Sequence, residues 1–354
     1  MPNYSIGIIG GDGIGPEVVR EGMRVLDAAE AIYGFKTHRT IYPFGADHFL
    51  KTGETMPQSA IAEIGKMHAA VLGAIGDPRV ETGKLEFAII AGLRFQLELY
   101  VNLRPIKLYD SRFCPLKEKG PEHIDYVVVR ENTEDAYCAS PFFFKKGTPD
   151  EVAQQSMIYT RKGTERVIRY AYELARKRGK KRKLTLCDKA NAVRAQDLWT
   201  RTFAEVGKEY PDIAQDHGYV DAMTMWLIKN PEFYDVIVAP NLFGDIITDL
   251  SAMLQGGMGI AAGGNIHPGG PGVFEPIHGS APKYAGQNKA NPLATVLAIS
   301  MLLDHVGQGE ASKAVEEAVA RCLRSGKVTS LQAGVHKTDE LGKLVVDELK
   351  TIGR

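Results

Sequence analysis

Asp245 and Asp249 stand four residues apart in Asn241-Leu-Phe-Gly-Asp245-Ile-Ile-Thr-Asp249, just after the apolar run Tyr234-Asp-Val-Ile-Val-Ala239. Val236, Ile237 and Val238 predict a buried strand, and the residues after Gly244 predict the first turns of a helix. The two carboxylates then project from one helix face just past a strand's carboxyl end. Like charges stacked this way repel by roughly 0.2–0.5 kcal/mol, so the pair wants a cation between them. The plainer alternative is that Asp245 complements the positive helix end while Asp249 is solvated. The glycine-rich Gln255-Gly-Gly-Met-Gly-Ile-Ala-Ala-Gly-Gly-Asn265 that follows, together with other islands along the chain, favours the cation.

Three arginines lie near predicted element ends: Arg94, Arg104 in Val101-Asn-Leu-Arg-Pro105, and Arg130 opening Arg130-Glu-Asn-Thr-Glu-Asp-Ala-Tyr137. Each alone reads as a solvated or structural ion-pair residue. Together their rigid forks could clamp a polycarboxylate. Lys189, in Asp188-Lys-Ala-Asn191, follows the short strand Leu184-Thr-Leu-Cys187. Loop side chains at such strand ends converge on the crevice of α/β enzymes; without partners, Lys189 would be an exposed lysine in a turn. Asp221 lies on an otherwise apolar helix, where a lone carboxylate is rarely buried without a partner or metal. Phe274-Glu-Pro-Ile-His278-Gly-Ser-Ala-Pro282-Lys283-Tyr284 and Asn288-Lys-Ala-Asn291-Pro292 predict a loop with exposed backbone N–H groups leading into a helix. Such a place suits nucleotide phosphates and ribose.

The elements that must position these groups alternate between strand and helix, an α/β rhythm. A strand over residues 4–9 breaks at Gly10-Gly-Asp-Gly-Ile-Gly-Pro16-Glu17 and gives way to a helix over 18–32. This loop is not the dinucleotide fingerprint: the glycine spacing is wrong, Pro16 stands where the third glycine should pack, and no acid follows a second strand. It is not a phosphate-binding P-loop either, because Gly-Lys-Ser/Thr is absent. A strand over 69–75 and a helix over 83–99 follow, and Tyr126 to Val129 form another strand. Residues 141–159 are irregular and carry Phe142-Phe-Phe-Lys-Lys146, an aromatic cluster expected to pack against another element or subunit. A basic amphipathic helix spans 160–178 with Gly179 as its stop. Helices over 293–306, 310–325 and 338–350 complete the chain.

With 354 residues the chain suffices for one large or two medium domains. Lys plus Arg and Asp plus Glu both total 43, so no basic field points to nucleic acid. Cys114, Cys138, Cys187 and Cys322 are far apart, which suggests neither a disulfide framework nor a zinc site. No run approaches the ~20 apolar residues of a membrane span, and no signal peptide opens the chain, so the cytoplasm is expected.

Taken in order, Gly10-Gly-Asp-Gly-Ile-Gly-Pro-Glu17, Asn102-Leu-Arg-Pro105, Arg130-Glu-Asn-Thr-Glu-Asp-Ala-Tyr137, Asp188-Lys-Ala-Asn191, Asn241 to Asp249 and His278-Gly-Ser-Ala-Pro282 resemble the β-decarboxylating dehydrogenases. That family includes isocitrate, 3-isopropylmalate, homoisocitrate, and tartrate or D-malate dehydrogenases, and the resemblance covers nearly the whole chain. It implies an isopropylmalate dehydrogenase-like fold, not the Rossmann fold: two α/β domains with a central mixed sheet. Residues 1–101 plus 255–354 would form a discontinuous cofactor-binding domain, and 102–254 a central substrate, metal and dimerisation domain. It further implies oxidation of a 2-hydroxy-3-carboxy acid by a nicotinamide cofactor and loss of CO2, in a homodimer whose copies share each active site.

By this resemblance Asp245 and Asp249 match metal ligands, with Asp221 supplied by the partner subunit, for Mg²⁺ or Mn²⁺ acting as a Lewis acid. Lys189 matches the base that takes the hydroxyl proton, with a charge state tuned by acidic neighbours, and Tyr137 the acid that protonates the enolate carbon. Arg94, Arg104 and Arg130 match the carboxylate clamp, and Asn191 approaches substrate and nicotinamide. His278, Gly279, Ser280, Ala281, Pro282, Lys283, Tyr284 and Asn291 match the cofactor site.

Substrate choice in the family sits on the helix before the first arginine, here Gly83-Lys-Leu-Glu-Phe-Ala-Ile-Ile-Ala-Gly-Leu-Arg94. Bacterial isocitrate enzymes of the NADP type carry Ser and Asn where this chain has Ala88 and Ile90, so no hydroxyl or amide meets a third carboxylate. Isopropylmalate enzymes carry aliphatic residues at Ile90 and Ala91. An apolar wall rejects a charge strongly and welcomes an isopropyl group by ~1–3 kcal/mol. The substrate pocket therefore favours 3-isopropylmalate, a step of leucine biosynthesis, with isocitrate, homoisocitrate, D-malate or tartrate as alternatives; Arg130-Glu-Asn-Thr-Glu-Asp135 points toward the isocitrate and tartrate enzymes. Lys283-Tyr284 replaces the Asp-Ile of NAD-preferring members, with His336 or Lys337 as possible further cations, so the cofactor expectation is NAD(P). A rival of another class is a non-catalytic regulatory subunit. Such subunits lack part of the Tyr, Lys and Asp set, which this chain keeps in Tyr137, Lys189, Asp221, Asp245 and Asp249.

Overall fold

The computed structural model describes residues 1–353 and has an α/β architecture. The chain divides into two compact units: Met1–Leu99, Pro105–Ile124 and the residues from Ala252 onward form the first, and Tyr100–Arg104 with Asp125–Ser251 form the second.

In the first unit the strands run in the order Lys36–Tyr42, Asn3–Gly11, Ala69–Ala74, Gly272–Pro276 and Ala262–Ile266. Neighbours are parallel except the last pair, where Ala262 faces Pro276 and Ile266 faces Gly272. The sheet of this unit is therefore mixed. Ala69–Ala74 is buried along its whole length, which is why its sequence is an unbroken apolar run and not an alternation. The helix Gly15–Tyr33 has Pro16 in its first turn and ends at Gly34, whose left-handed backbone (φ 72°) lets its N–H reach Glu30 O. It lays Val18, Val25 and Leu26 into the core and packs on Leu293–His305 and Thr338–Ile352, each such side chain worth roughly 1.5–3 kcal/mol on burial.

In the second unit Asp125–Glu131, Val236–Ala239, Lys183–Asp188 and Ala214–Tyr219 are neighbours in that order and all parallel. Arg161–Arg178 and Asp197–Gly207 pack together, with Tyr172 stacked on Phe203 (5.5 Å between ring centres) and on Tyr210 (4.8 Å). Thr160 caps the first of these helices by accepting from Gly163 N, and Gly179 ends it. The strand–helix pair Val236–Ala239 and Asn241–Leu254 carries both aspartates of the opening motif.

Four local expectations are corrected. The aspartate helix starts at Asn241, so Asp245 sits a full turn inside it instead of near its start. The helix expected over 83–99 is regular only at Lys84–Glu86 and Gly92–Gln96; Phe87–Ala91 between them is a π-turn. The glycine-rich stretch includes the strand Ala262–Ile266, and Phe274 to Pro276 end the strand Gly272–Pro276 instead of opening a loop. The irregular 141–159 holds an antiparallel hairpin, Phe142–Phe144 with Val152–Gln154, whose side chains are exposed. Residues 105–124 cluster with the first unit. Lys107 N donates to Gln255 Oε1 (2.8 Å), Lys107 pairs with Glu316, and Arg112 donates to Leu323 O.

Candidate active site

In the second unit three predicted residues meet around the carboxylate of a fourth. Arg130, at the end of its strand, is 2% exposed; its Nε donates to the backbone and side-chain oxygens of Asn241 (both 3.0 Å) and its Nη1 to Asp245 Oδ1 (2.5 Å). Tyr137 Oη donates to Asp245 Oδ2 (3.0 Å), and its ring centre lies 5.5 Å from the Arg130 guanidinium. Arg104 Nε donates to Asn102 Oδ1 (2.6 Å) while its Nη2 stands 4.0 Å from Asp245 Oδ1. Gly244 makes this approach possible: a Cβ there would lie 2.6 Å from Arg130 Cγ. The sequence marks Gly244 only as part of the motif, and Asn102 and Asn241 as its flanks.

Asp249, one turn further on, has its carboxyl pushed above the ordinary range, first by loss of solvent and then by the charge of Asp245, with Arg104 and Arg130 opposing. Two stacked carboxylates that the arginines do not fully compensate are a hard-oxygen donor set suited to Mg²⁺ or Mn²⁺. Among the described residues of one chain no three His, Cys, Asp or Glu side chains group closely enough to hold a metal ion. Asp221 therefore does not join Asp245 and Asp249 within one chain.

Asp221 lies in the first turn of Val220–Lys229, and its Oδ1 accepts from Lys189 Nζ (2.5 Å). That ion pair holds the Asp221 carboxyl below the usual range. The Lys189 backbone is fixed as well: its N–H donates to Gln196 Oε1 (2.7 Å), Gln196 Nε2 to Tyr159 Oη (2.8 Å), and Tyr159 to Asp135 Oδ1 (2.9 Å). Asp188, just before it, is fully buried and meets His217 Nε2 at 3.0 Å. Asn191 is exposed.

In the first unit Arg94 is held by Asn265 and Glu275: Nε donates to Asn265 Oδ1 (2.9 Å) and Nη2 to Glu275 Oε1 (3.2 Å). Arg94 and the other two arginines thus belong to different units. Ile90, in the π-turn, is partly buried and packs on an apolar cluster that includes Ile61, Leu85, Ile89 and Leu93.

The cofactor residues predicted between His278 and Asn291 form a braced loop. Ile14 N donates to Ser280 O (2.8 Å), and Ser280 Oγ donates to Gly76 O (2.5 Å). Gly13, with φ +57°, is required there because a Cβ would lie 1.9 Å from Ser280 O. Asp12, which the sequence did not single out, is buried and receives Ala46 N (2.6 Å) and Gly76 N (2.9 Å). Glu17 accepts from Gly286 N and Asn288 N. The glycine loop of residues 10–17 is thus a clamp for the loop 276–292.

A pocket of about 220 Å³ is lined by Gly76, Thr82, Leu85, Glu86, Ser280 and Pro282 among others. Burial holds the His278 imidazole below its ordinary range, and its Nε2 has no hydrogen-bond partner among the described residues, an orphan that a polar ligand would satisfy. Gly279 and Lys283 are exposed, Lys283 Nζ lying 4.7 Å from the Tyr284 ring centre; Ala281 adopts φ +40° ahead of Pro282. Asn291 Oδ1 accepts from the N–H of Leu293, the first residue of the next helix (3.0 Å). His336 accepts from Thr329 N (3.0 Å) and Lys337 pairs with Glu340 (2.9 Å), so both carry local partners.

Known proteins resemble this chain over nearly its whole length. Residues 5–345 match the family profile described as isocitrate/isopropylmalate dehydrogenase. The chain is 46% identical over 340 residues to a 3-isopropylmalate dehydrogenase of Thermobifida fusca, covering 95% of each. It is 47% identical over 321 residues to one of Frankia casuarinae, covering 90% of this chain and 92% of that one. The crystal structure of an isocitrate dehydrogenase from Methylococcus capsulatus superposes with a TM-score of 0.88 at 33% identity, over 98% of this chain and 99% of that one.

Proposed function

This chain belongs to the isocitrate/isopropylmalate dehydrogenase family, and from that premise we propose that it is a 3-isopropylmalate dehydrogenase: it oxidises the hydroxyl of 3-isopropylmalate with NAD(P) and releases CO2. The observation that carries the reading is the convergence of Arg104, Arg130 and Tyr137 on Asp245, beside Asp249. The identity to two relatives bearing that name and the apolar surroundings of Ile90 support the substrate.

Asp245 and Asp249, with Asp221 of a second copy, would hold Mg²⁺ or Mn²⁺, which when bound supplies Lewis-acid stabilisation of negative charge on oxygen. Arg104 and Arg130 present fixed guanidinium forks to the substrate's carboxylates, and Arg94 keeps its part as a third carboxylate ligand. Lys189, once it has given a proton to solvent and left its ion pair with Asp221, takes the hydroxyl proton at Nζ as the alcohol is oxidised, and Tyr137 delivers its Oη proton to the carbon that CO2 leaves. Asn191 lies on the Lys189 loop and accompanies it. The braced loop from His278 to Tyr284, with Asn291, is the part of the chain we assign to the nucleotide. Lys283 pairs with no carboxylate among the described residues and replaces the acid that would favour NAD.

We further propose that two copies assemble and share sites. Met225, Trp226 and Ile228 on the Asp221 helix and Phe142, Phe143 and Phe144 on the hairpin are exposed, apolar side chains that a second copy could cover. No helix of the described residues is long and apolar enough to cross a membrane; the unpaired cysteines suit a reducing compartment such as the cytoplasm.

The test is a panel of 3-isopropylmalate, isocitrate, homoisocitrate, D-malate and tartrate against both cofactors with Mn²⁺. The reading expects 3-isopropylmalate to give the highest kcat/KM. A preference for isocitrate of about twentyfold or more would overturn the substrate assignment. No turnover of any substrate would overturn the enzyme reading in favour of a regulatory subunit.

A further inference from the structure

The Lys189 loop is held from a direction that the catalytic assignment does not use. Asp188 ends the strand Lys183–Asp188, fully buried. Its Oδ1 accepts from Ala190 N (3.0 Å), turning the chain around Lys189, and meets His217 Nε2 at 3.0 Å; its Oδ2 has no hydrogen-bond partner among the described residues. His217 lies on the parallel neighbour Ala214–Tyr219, in register with Leu186, while Asp188 is in register with Tyr219. Two residues beyond Tyr219 comes Asp221, the partner of Lys189 Nζ. The His217 ring is itself set edge-on against Tyr219, 5.0 Å between centres at 83°. The two residues of the ion pair therefore leave from the ends of two adjacent strands, and the strand ends are tied by one side-chain bond.

That bond is chemically exposed to loss. A fully buried carboxylate that keeps only one backbone donor is poorly compensated, and the loop it ends would move to let water in. Asp188 in turn holds the His217 imidazole above its ordinary range, with Asp216 adding to the effect, as a charge-assisted bond requires.

Resting on the role of Lys189 given above, we propose that His217 is a positioning residue which, through Asp188, fixes the Lys189 loop against the start of the Asp221 helix. Its contribution is to orientation of the base and not to substrate binding.

The experiment compares His217→Leu, His217→Gln, His217→Asn and Lys189→Ala as full chains, reading kcat, KM and the rate at which a trace pulse of acetic anhydride labels Lys189, followed by mass spectrometry. Misplacing a base by about 1 Å costs up to about a hundredfold. His217→Leu should therefore lose about ten- to hundredfold in kcat, with KM for the hydroxy acid within about threefold and with altered Lys189 labelling. Gln places an amide N–H near the position of Nε2 and should come within about threefold of the wild type, whereas Asn, whose amide reaches only the position of Nδ1, should not. If His217→Leu does not fold, the Gln and Asn pair decides: equal kcat and equal labelling in the two would overturn the proposal. Wild-type kcat in His217→Leu alongside an inactive Lys189→Ala would also overturn it while leaving the assignment of Lys189 intact. Wild-type turnover in Lys189→Ala would remove the base assignment itself.

Discussion

Asp245 and Asp221 are assigned to the same cation, yet the fold treats them differently. Asp245 is gripped: the buried Arg130 and the exposed Tyr137 hold its two oxygens, and Arg104 stands 4.0 Å away. Asp221 is presented: 67% of its side chain is exposed, and its ion pair is with Lys189 on the neighbouring loop. An exposed ion pair contributes little, so giving up the Lys189 contact to meet another chain costs little. The gripped carboxylate, by contrast, is already oriented and loses little freedom when a cation arrives. On the proposed reading, one chain would build half of a site rigidly and offer the other half at its surface.

The largest effects should come from removing either half's chemistry. Lys189→Ala should lower kcat by roughly 10²–10⁴ while cofactor binding, followed by fluorescence, is unchanged; unchanged turnover would take Lys189 out of the mechanism. On the gripped side, a hundredfold excess of Mn²⁺ over Kd stabilises by ~2.7 kcal/mol, so the melting temperature should rise by a few degrees. Asp249→Asn should abolish that rise without lowering the melting temperature of the metal-free protein, because it removes a crowded negative charge. Persistence of the full rise in Asp249→Asn would show that the cation is held elsewhere.

A smaller effect concerns the floor of the gripped half. Glu131, next to Arg130, is buried, and loss of solvent pushes its carboxyl up to about 7 although Thr133 and Glu134 N–H groups oppose this. A group whose folded-state value is raised contributes stability that is complete below its unfolded value and is lost as pH rises through the folded one. Stability should therefore fall between about pH 4.5 and 7, by on the order of 1–3 kcal/mol, and Glu131→Gln should flatten the profile measured by urea unfolding. Smallest of all, Ile90→Ser should shift selectivity away from 3-isopropylmalate by about 1–3 kcal/mol in kcat/KM; no shift would mean that Ile90 serves the apolar core alone.

Much of the gripped half was legible because it is local. The Asp245 and Asp249 spacing is a helix period, and Arg130 and Lys189 each follow an unmistakable apolar strand. What escaped depends on contacts between distant residues. Gly244 matters only because Arg130 crosses it, and Asp12 only because Ala46 and Gly76 bring it their N–H groups. The strand Ala262–Ile266 has weak strand propensity and exists through pairing with Gly272–Pro276, where Asn265 also bonds Val273 O (3.2 Å) and Glu275 (2.8 Å). The π-turn at Phe87–Ala91 lies on a helix that docks Leu85, Ile89 and Leu93 in the core, a packing demand that helical periodicity alone does not encode.

The central claim, that the gripped aspartates of one copy work with Asp221 and its neighbour Lys189 of another, is tested most directly by mixing two inactive variants. Lys189→Ala and Asp245→Asn chains, co-refolded in equal amounts, place half of the protein in mixed pairs, each with one intact shared site. The account predicts recovery of about a quarter of wild-type turnover. No recovery, with mixed pairs shown to have formed by native mass spectrometry, would mean that each chain completes its own site.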